Sequence, residues 1–142
     1  MIDKLIAEHY LIQTKLGSGG MGTVYSAIDT RTDEIVAIKH LKPEMTRVDL
    51  IARFKREGEA LRELYHPNIV KMLDAINEDD NHYLVMEYVG GGDLKDLLAK
   101  GSLSIDRTLR IAIEIADALT RAHHLNIIHR DLKPANILIA ED

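Results

Sequence analysis

Cysteine is absent from the 142 residues, which excludes a disulfide or a thiolate zinc site and fits a reducing, cytoplasmic setting. Long apolar runs are missing as well. Tyr83 to Met86 is far too short to span a bilayer, and Met1 to Tyr10 has no unbroken apolar core, so neither a membrane segment nor a signal peptide is expected in this chain. Basic residues are in deficit: 18 Lys and Arg stand against 23 Asp and Glu, a formal net charge of -5. That balance argues against a nucleic-acid-binding face as the main purpose. The histidines form no H-E-x-x-H pattern, so His123, His124 and His129 do not read as a zinc site. Internal repeats and low-complexity tracts are also lacking. What is left, with 46% hydrophobic residues, is a globular sequence long enough for one ordinary core and short for two complete domains.

The first half of the chain is rich in strand signals. The stretch to Glu8 reads as weakly helical or frayed, and Tyr10-Leu11-Ile12 opens the first strand. Gly17-Ser18-Gly19-Gly20-Met21-Gly22 then fits G-x-G-x-x-G, a spacing shared by dinucleotide-binding turns and by loops that cover the phosphates of ATP. A dinucleotide fold needs a helix next. Thr23 to Ile28 is rich in β-formers and has no helical cap, so a strand, turn, strand hairpin is the better reading. A glycine turn with no ligand is the plainer alternative.

After a turn at Thr30 to Asp33, Glu34 to Lys39 reads as a third strand, whose period of two puts Ala37 and Lys39 on one face. A lysine in such a strand is ordinarily a rim residue with its ammonium in water. From about Arg47 to Leu64, the residues Leu50, Phe54, Leu61 and Leu64 recur at helical spacing. Glu57 falls on the Phe54 and Leu61 side and points inward, whereas Glu59 and Glu63 lie on other faces; a surface pair with Arg53 is the alternative for Glu57. Gly58 costs this helix about 1 kcal/mol relative to alanine. His66-Pro67-Asn68 ends it, and Ile69 to Ala75, an acidic turn at Asn77 to Asn81, and Tyr83 to Met86 add two strands. The sum is five strands and one helix.

Glu87-Tyr88-Val89 leads into Gly90-Gly91-Gly92, read as a flexible hinge between a β-rich and a helical part. Asp93 caps a helix over Leu94 to Ala99, and Ser104 caps a second, ending near Leu125, with Ile105, Leu109, Ala112, Ala116 and Leu119 as its buried stripe. His123 and His124 fall in its last turn, where partial positive charge suits the helix dipole, and with His129 they read as structural. Two short strands, Ile127-Ile128 and Ile137-Leu138-Ile139, then bracket the polar loop His129 to Asn136. Within it a carboxylate (Asp131) can orient a hydroxyl and take its proton, an ammonium (Lys133) can neutralise a migrating phosphoryl group, and an amide oxygen (Asn136) can ligate Mg²⁺. An ordinary solvated turn, favoured by Pro134, is the competing reading.

Three strings now stand in order: G-x-G-x-x-G at 17–22, Val36-Ala37-Ile38-Lys39, and His129-Arg130-Asp131-Leu132 followed by Asn136. They match the Gly-rich loop, V-A-I-K and H-R-D-L-x-x-x-N, so nearly the whole chain resembles the protein kinase family. Gly-Gly-Met-Gly and His-Pro-Asn-Ile-Val look most like its bacterial serine/threonine branch, and Lys133, two residues after Asp131, is the serine/threonine form of the loop.

The resemblance implies an α+β fold: a five-stranded antiparallel sheet with one helix over residues 1–89, then a hinge and the start of a helical lobe over 90–142. It implies ATP, with Gly17, Ser18, Gly19, Gly20, Met21 and Gly22 over its phosphates and Lys39, held by Glu57, positioning them. Leu16, Val24 and Ala37 would roof the adenine and Leu138 floor it. Main-chain groups of Glu87 and Val89 would bond its edge, Met86 would limit the pocket behind, and Asp93 would reach the ribose. Asp131 would be the base, Lys133 would assist, Asn136 would hold Mg²⁺, and a protein Ser or Thr hydroxyl would be the acceptor. Arg130 implies control by phosphorylation of an activation loop. No D-F-G, activation loop or A-P-E follows up to Asp142, so part of a catalytic domain is expected here. A non-catalytic nucleotide-binding or regulatory module is the alternative.

Overall fold

The structure is a computed structural model that describes residues 1–19, 22–42, 59, 63–127 and 132–140. The helix expected from about 47 to 64, with Glu57, lies outside the described residues except at its end, as do Gly20, Met21, Ile128, His129, Arg130 and Asp131. The chain divides into two compact units, Met1–Glu63 with Lys71–Tyr88, and Leu64–Val70 with Val89–Asp142.

In the first unit the alternating β-formers build one antiparallel sheet. Its strands are β1 (Leu5–Ile6), β2 (Tyr10–Ser18), β3 (Gly22–Asp29), β4 (Glu34–Leu41), β5 (Met72–Glu78) and β6 (Asn81–Glu87), in the order β1-β2-β3-β4-β6-β5. Acidic residues make its tight turns. Asp79 and Asp80 both adopt positive φ, 51° and 62°, between paired Glu78 and Asn81, as a two-residue hairpin loop requires. At the β3–β4 turn the Asp33 N–H donates to the Asp29 carbonyl at 2.8 Å, and the Arg31 guanidinium grips the Asp29 carboxylate through Nε and Nη2, both at 3.0 Å.

Period two sorts the side chains onto two faces. One carries the core, in which Ile6, Ile12, Ala27, Ile38 and Val85 are fully buried beside Tyr10, Val36 and Tyr83. Burying each large apolar side chain is worth about 1.5–3 kcal/mol, so this face holds the sheet together. The other face presents Ala37 and Lys39 in alternation, as the sequence pattern requires.

The N-terminal stretch differs from its expected weak helix. Asp3, Ala7 and Glu8 have φ between 52° and 66°, and Leu5–Ile6 pairs with Tyr10 and Leu11 as β1. Burial of Ile6 and the 2.7 Å bond from the Ala7 N–H to Glu78 Oε2 draw the segment onto the sheet, partners that a local pattern does not contain. Likewise β5 starts at Met72 instead of Ile69, because residues 66–69 form a turn closed by the Ile69 N–H on the His66 carbonyl at 3.1 Å.

In the second unit α1 (Leu94–Ala99) starts at Asp93, whose Oδ1 accepts the Asp96 N–H at 2.8 Å. Helix α2 (Ile105–His124) is capped by Ser104 and ends on Leu125, as expected. Its buried face is not the expected one. Ile105 and Leu109 are 79% and 55% exposed, Ala112 and Ala116 are exposed and Leu119 is half-buried, while Ala118 and Ala122 are buried and Ile111 and Ile115 half-buried. The helix carries two apolar stripes, and periodicity alone does not say which one meets a neighbour. Of the expected strand pair around the polar loop, Ile128 lies outside the described residues, and neither Ile127 nor any of residues 137–139 is part of β1 to β6. The Ile127 N–H continues the helix end onto the Ala122 carbonyl, and Leu138 makes one isolated bridge, to Asp93. No helix among the described residues is long and apolar enough to cross a membrane.

Candidate functional site

The glycines of the 17–22 motif fall into two kinds. A Cβ on Gly22 would lie 2.1 Å from the His40 carbonyl oxygen of β4, so sheet packing alone demands glycine there. Around Gly17 and Gly19 a Cβ would meet nothing within 4 Å. Among the described residues no packing contact requires glycine at those two positions, and a backbone without side chains is one that an anion can approach closely. The turn is tight: the Gly19 N–H donates to the Gly22 carbonyl at 2.9 Å.

Register then brings a cation to the same row. Gly17 pairs with Val24 and Val24 with Lys39, while the next row joins Ser26, Ala37 and Met86. Burial of Lys39 among these strands pushes its ammonium pKa below the ordinary lysine value, because the charged form has lost part of its hydration. Such an ammonium gains more from an anion than one in open water. Leu16 is 47% exposed, Ser18 is exposed, Val24 is half-buried and Ala37 buried. Glu87 is fixed at the end of β6: its N–H donates to the Lys71 carbonyl at 2.9 Å and its Oε1 accepts the Lys71 N–H at 2.8 Å. Beyond it, Val89 makes no backbone hydrogen bond among the described residues, which leaves a main-chain donor and acceptor to offer.

In the second unit, Pro134–Asn136 forms a 3₁₀ turn in which the Asn136 N–H donates to the Lys133 carbonyl at 2.9 Å. The turn holds Lys133 and Asn136 one after the other on an exposed stretch that ends at Leu138. Asp93 spends one carboxylate oxygen on its helix cap. The glycines before it are not slack. A Cβ on Gly91 would sit 2.1 Å from the Ile139 carbonyl oxygen, Gly92 has φ +77°, and the Ile139 N–H donates to the Gly92 carbonyl at 2.8 Å. The triple glycine therefore permits a close backbone crossing that sequence reasoning took for a flexible break; only the position of Ile139, some fifty residues on, reveals it.

Lys39, Gly17, Gly19, Gly22, Val24, Ala37, Met86 and Glu87 thus belong to the first unit, and Val89, Asp93, Lys133, Asn136 and Leu138 to the second. Comparison with known proteins agrees with the motif order. Residues 10–142 match the model of the protein kinase domain. The serine/threonine-protein kinase PrkC of Bacillus subtilis is 44% identical over 141 residues, covering 98% of this chain and 22% of PrkC. The "probable serine/threonine-protein kinase CPE1738" of Clostridium perfringens is 42% identical over 144 residues, covering all of this chain and 21% of that protein. The chain therefore spans little more than a fifth of these relatives. The crystal structure of the PknI kinase domain of Mycobacterium tuberculosis superposes with a TM-score of 0.87 at 31% identity, covering 99% of this chain and 57% of that one. The chain belongs to the protein kinase family, among relatives that are bacterial serine/threonine protein kinases.

Proposed function

We propose that this chain supplies the nucleotide-holding and phosphoryl-transfer residues of a serine/threonine protein kinase, which moves the γ-phosphoryl of ATP to a Ser or Thr hydroxyl of a protein. The observation that carries the proposal is the row Gly17, Val24, Lys39. It sets an open glycine backbone and a partly desolvated cation about 10 Å apart, two strand spacings, on one sheet. A triphosphate has the length and charge to engage both. The glycines at 17 and 19 would let the backbone approach the phosphates closely, with Ser18, Gly20 and Met21 completing the loop, and Lys39, held by Glu57, would position them. Leu16, Val24 and Ala37 would cover the adenine, and Leu138 keeps the adenine-contacting role that the family resemblance implies. The Val89 N–H and the Glu87 carbonyl would read its edge, Met86 would set its depth, and the second oxygen of Asp93 would reach the ribose.

Asp131 orients the acceptor hydroxyl and takes its proton as the oxygen bonds to the γ-phosphorus and the bond to ADP breaks. Lys133 stands beside the migrating group and offsets its charge. Mg²⁺, held in part by the Asn136 amide oxygen, would supply further positive charge at the phosphates. A cytoplasmic location would give access to ATP and suits a chain without cysteine.

A second reading is a non-catalytic nucleotide-binding module. One experiment separates the two. In a polypeptide carrying this chain and the rest of a kinase domain, Mg-ATP should label a Ser/Thr protein substrate, and Asp131→Asn should lower turnover by about 10²–10⁴-fold with the fold retained. Unchanged turnover in that variant would remove Asp131 from the mechanism, and nucleotide binding without any transfer would favour the module.

A further inference from the structure

Cross-strand register places four apolar side chains in one row. Leu5 pairs with Leu11, Leu11 with Ile28 and Ile28 with Ile35, so the row crosses β1, β2, β3 and β4 without a polar interruption. Paired residues of an antiparallel sheet share a face, and Ile35 alternates with Ala37 and Lys39 along β4, so the row lies on the face opposite the core. Water reaches it. Leu5 and Ile35 at its ends are 47% and 54% exposed, Leu11 and Ile28 between them are half-buried, and none of the four has a full cover among the described residues. The row also stands apart from the residues assigned to the nucleotide, since Ile35 lies about 13 Å along β4 from Lys39. A lone exposed leucine needs no explanation, whereas a row aligned across four strands is a patch that a partner can bury.

The charges around the row select its occupant. Asp3 stands two residues before Leu5, Glu8 sits in the β1–β2 turn, and Asp33 and Glu34 lead into Ile35; all four are exposed. The cations nearby are engaged elsewhere: Lys4 Nζ lies 3.5 Å from the Tyr83 hydroxyl, and the Arg31 guanidinium grips Asp29. A second copy of this chain would bring the same four carboxylates against these, and an anionic membrane or a nucleic acid would be repelled likewise. Shape agrees with charge. Three strand spacings give the row a length of about 14 Å, which roughly ten residues of helix cover. Because the row crosses the strands on the face of the sheet, it offers side chains and not free backbone groups, which suits a helix better than an added strand. We infer that Leu5, Leu11, Ile28 and Ile35 form a docking surface for a basic amphipathic helix of a partner protein. Apolar residues three and four apart on that helix meet the row, and its lysines or arginines meet the border carboxylates. The docking does not depend on the phosphotransfer reading.

The test uses the 142-residue chain and, as probe, a fluorescein-labelled peptide of leucine and lysine with its leucines at helical spacing. Fluorescence anisotropy should give a dissociation constant in the micromolar range. Amide shifts on titration should move at Leu5, Leu11, Ile28 and Ile35, and not along Ile105 to Ile113 of α2. A peptide of the same composition with alternating leucines should bind more weakly, because it keeps the charge and loses the helical stripe. Leu5→Ser with Ile35→Thr, both at exposed positions and the second still β-branched, should weaken the helical probe about tenfold or more through two lost apolar contacts. Asp33→Asn with Glu34→Gln should weaken it about two- to fivefold, the worth of exposed ion pairs, and the difference should fade at high salt. Should the Leu5 and Ile35 changes lower the melting midpoint, the charge variant and the shift map still decide. Absence of binding, shifts confined to α2, equal binding of the alternating peptide, or affinity indifferent to the Leu5 and Ile35 changes would each overturn the inference. So would a dimer of this chain that those two changes dissolve, or capture of the chain by phosphatidylcholine–phosphatidylglycerol vesicles in place of the peptide, since each names a different occupant.

Discussion

Lys39 and Asp29 show opposite signs of proton linkage. Burial lowers the Lys39 pKa, so between that lowered value and the ordinary lysine value of about 10.4 the unfolded chain binds more protons than the folded one. Stability therefore rises with pH across this window, and the full cost of the buried cation is present below it. Lys39→Met should then leave the thermal midpoint unchanged or raised without nucleotide, while ATP affinity falls about tenfold or more, the worth of a charge-assisted contact. Melting curves and a nucleotide titration read both; equal affinity would make Lys39 an ordinary rim residue. For Asp29 the hydrogen bonds from Arg31 lead and hold the carboxyl below its usual value against a smaller opposing effect of burial. That stabilisation is present above the ordinary carboxylate pKa and is lost as pH falls through the lowered folded value. Asp29→Asn should lower the midpoint at pH 7 and reduce its difference from the parent as the melt is moved toward pH 2.

At the scale of elements, the glycines separate structure from ligand. Alanine at Gly22 or Gly91 drives a methyl group against a backbone carbonyl that cannot rotate away. Each change should cost about 1–3 kcal/mol by the usual penalty for overpacking. Alanine at Gly17 or Gly19 meets open space and should leave stability unchanged or raise it by about 0.5 kcal/mol through a less flexible unfolded chain. Those two should instead weaken nucleotide binding. Denaturant midpoints set beside ATP affinities for the four variants check the division, and loss of stability at Gly17 with binding intact would reverse the assignment. The same logic explains why the triple glycine before α1 resisted a sequence reading. Flexibility and close approach both select glycine, and only the Ile139 carbonyl tells them apart.

Across the whole chain, α2 leaves Ile105, Leu109 and Ile113 at 79%, 55% and 68% exposure, one helical stripe without a cover among the described residues. A contiguous apolar face of this kind favours association. The isolated 142-residue polypeptide is expected to self-associate in a concentration-dependent way, and Leu109→Glu with Ile113→Glu should return it to a monomer. It is also expected to transfer no phosphate above background. Within its sequence the neutral amide of Asn136 has no D-F-G aspartate beside it, and one neutral oxygen is a poor anchor for Mg²⁺. Solution mass and γ-phosphate transfer to a generic Ser/Thr substrate measure both expectations. A monomer with robust, Asp131-dependent transfer would refute them.

The sequence by itself determined five of the six strands, the Asp93 and Ser104 caps, the acidic turn between β5 and β6, and the shared face of Ala37 and Lys39. These depend on interactions within a few residues: a period of two, a side chain capping its own helix, a backbone that must reverse. It also carried the three motifs that place the chain in its family, because their chemistry is written in residue type and spacing. Tertiary structure alone decided the rest. Ile6 joins the sheet because it finds the core that β2, β3 and β4 build, β5 begins late because His66 closes a turn ahead of it, and α2 buries Ala118 and Ala122 in preference to Ile105 and Leu109. In each case the deciding partner lies far along the chain, and a local pattern holds two acceptable answers until burial selects one.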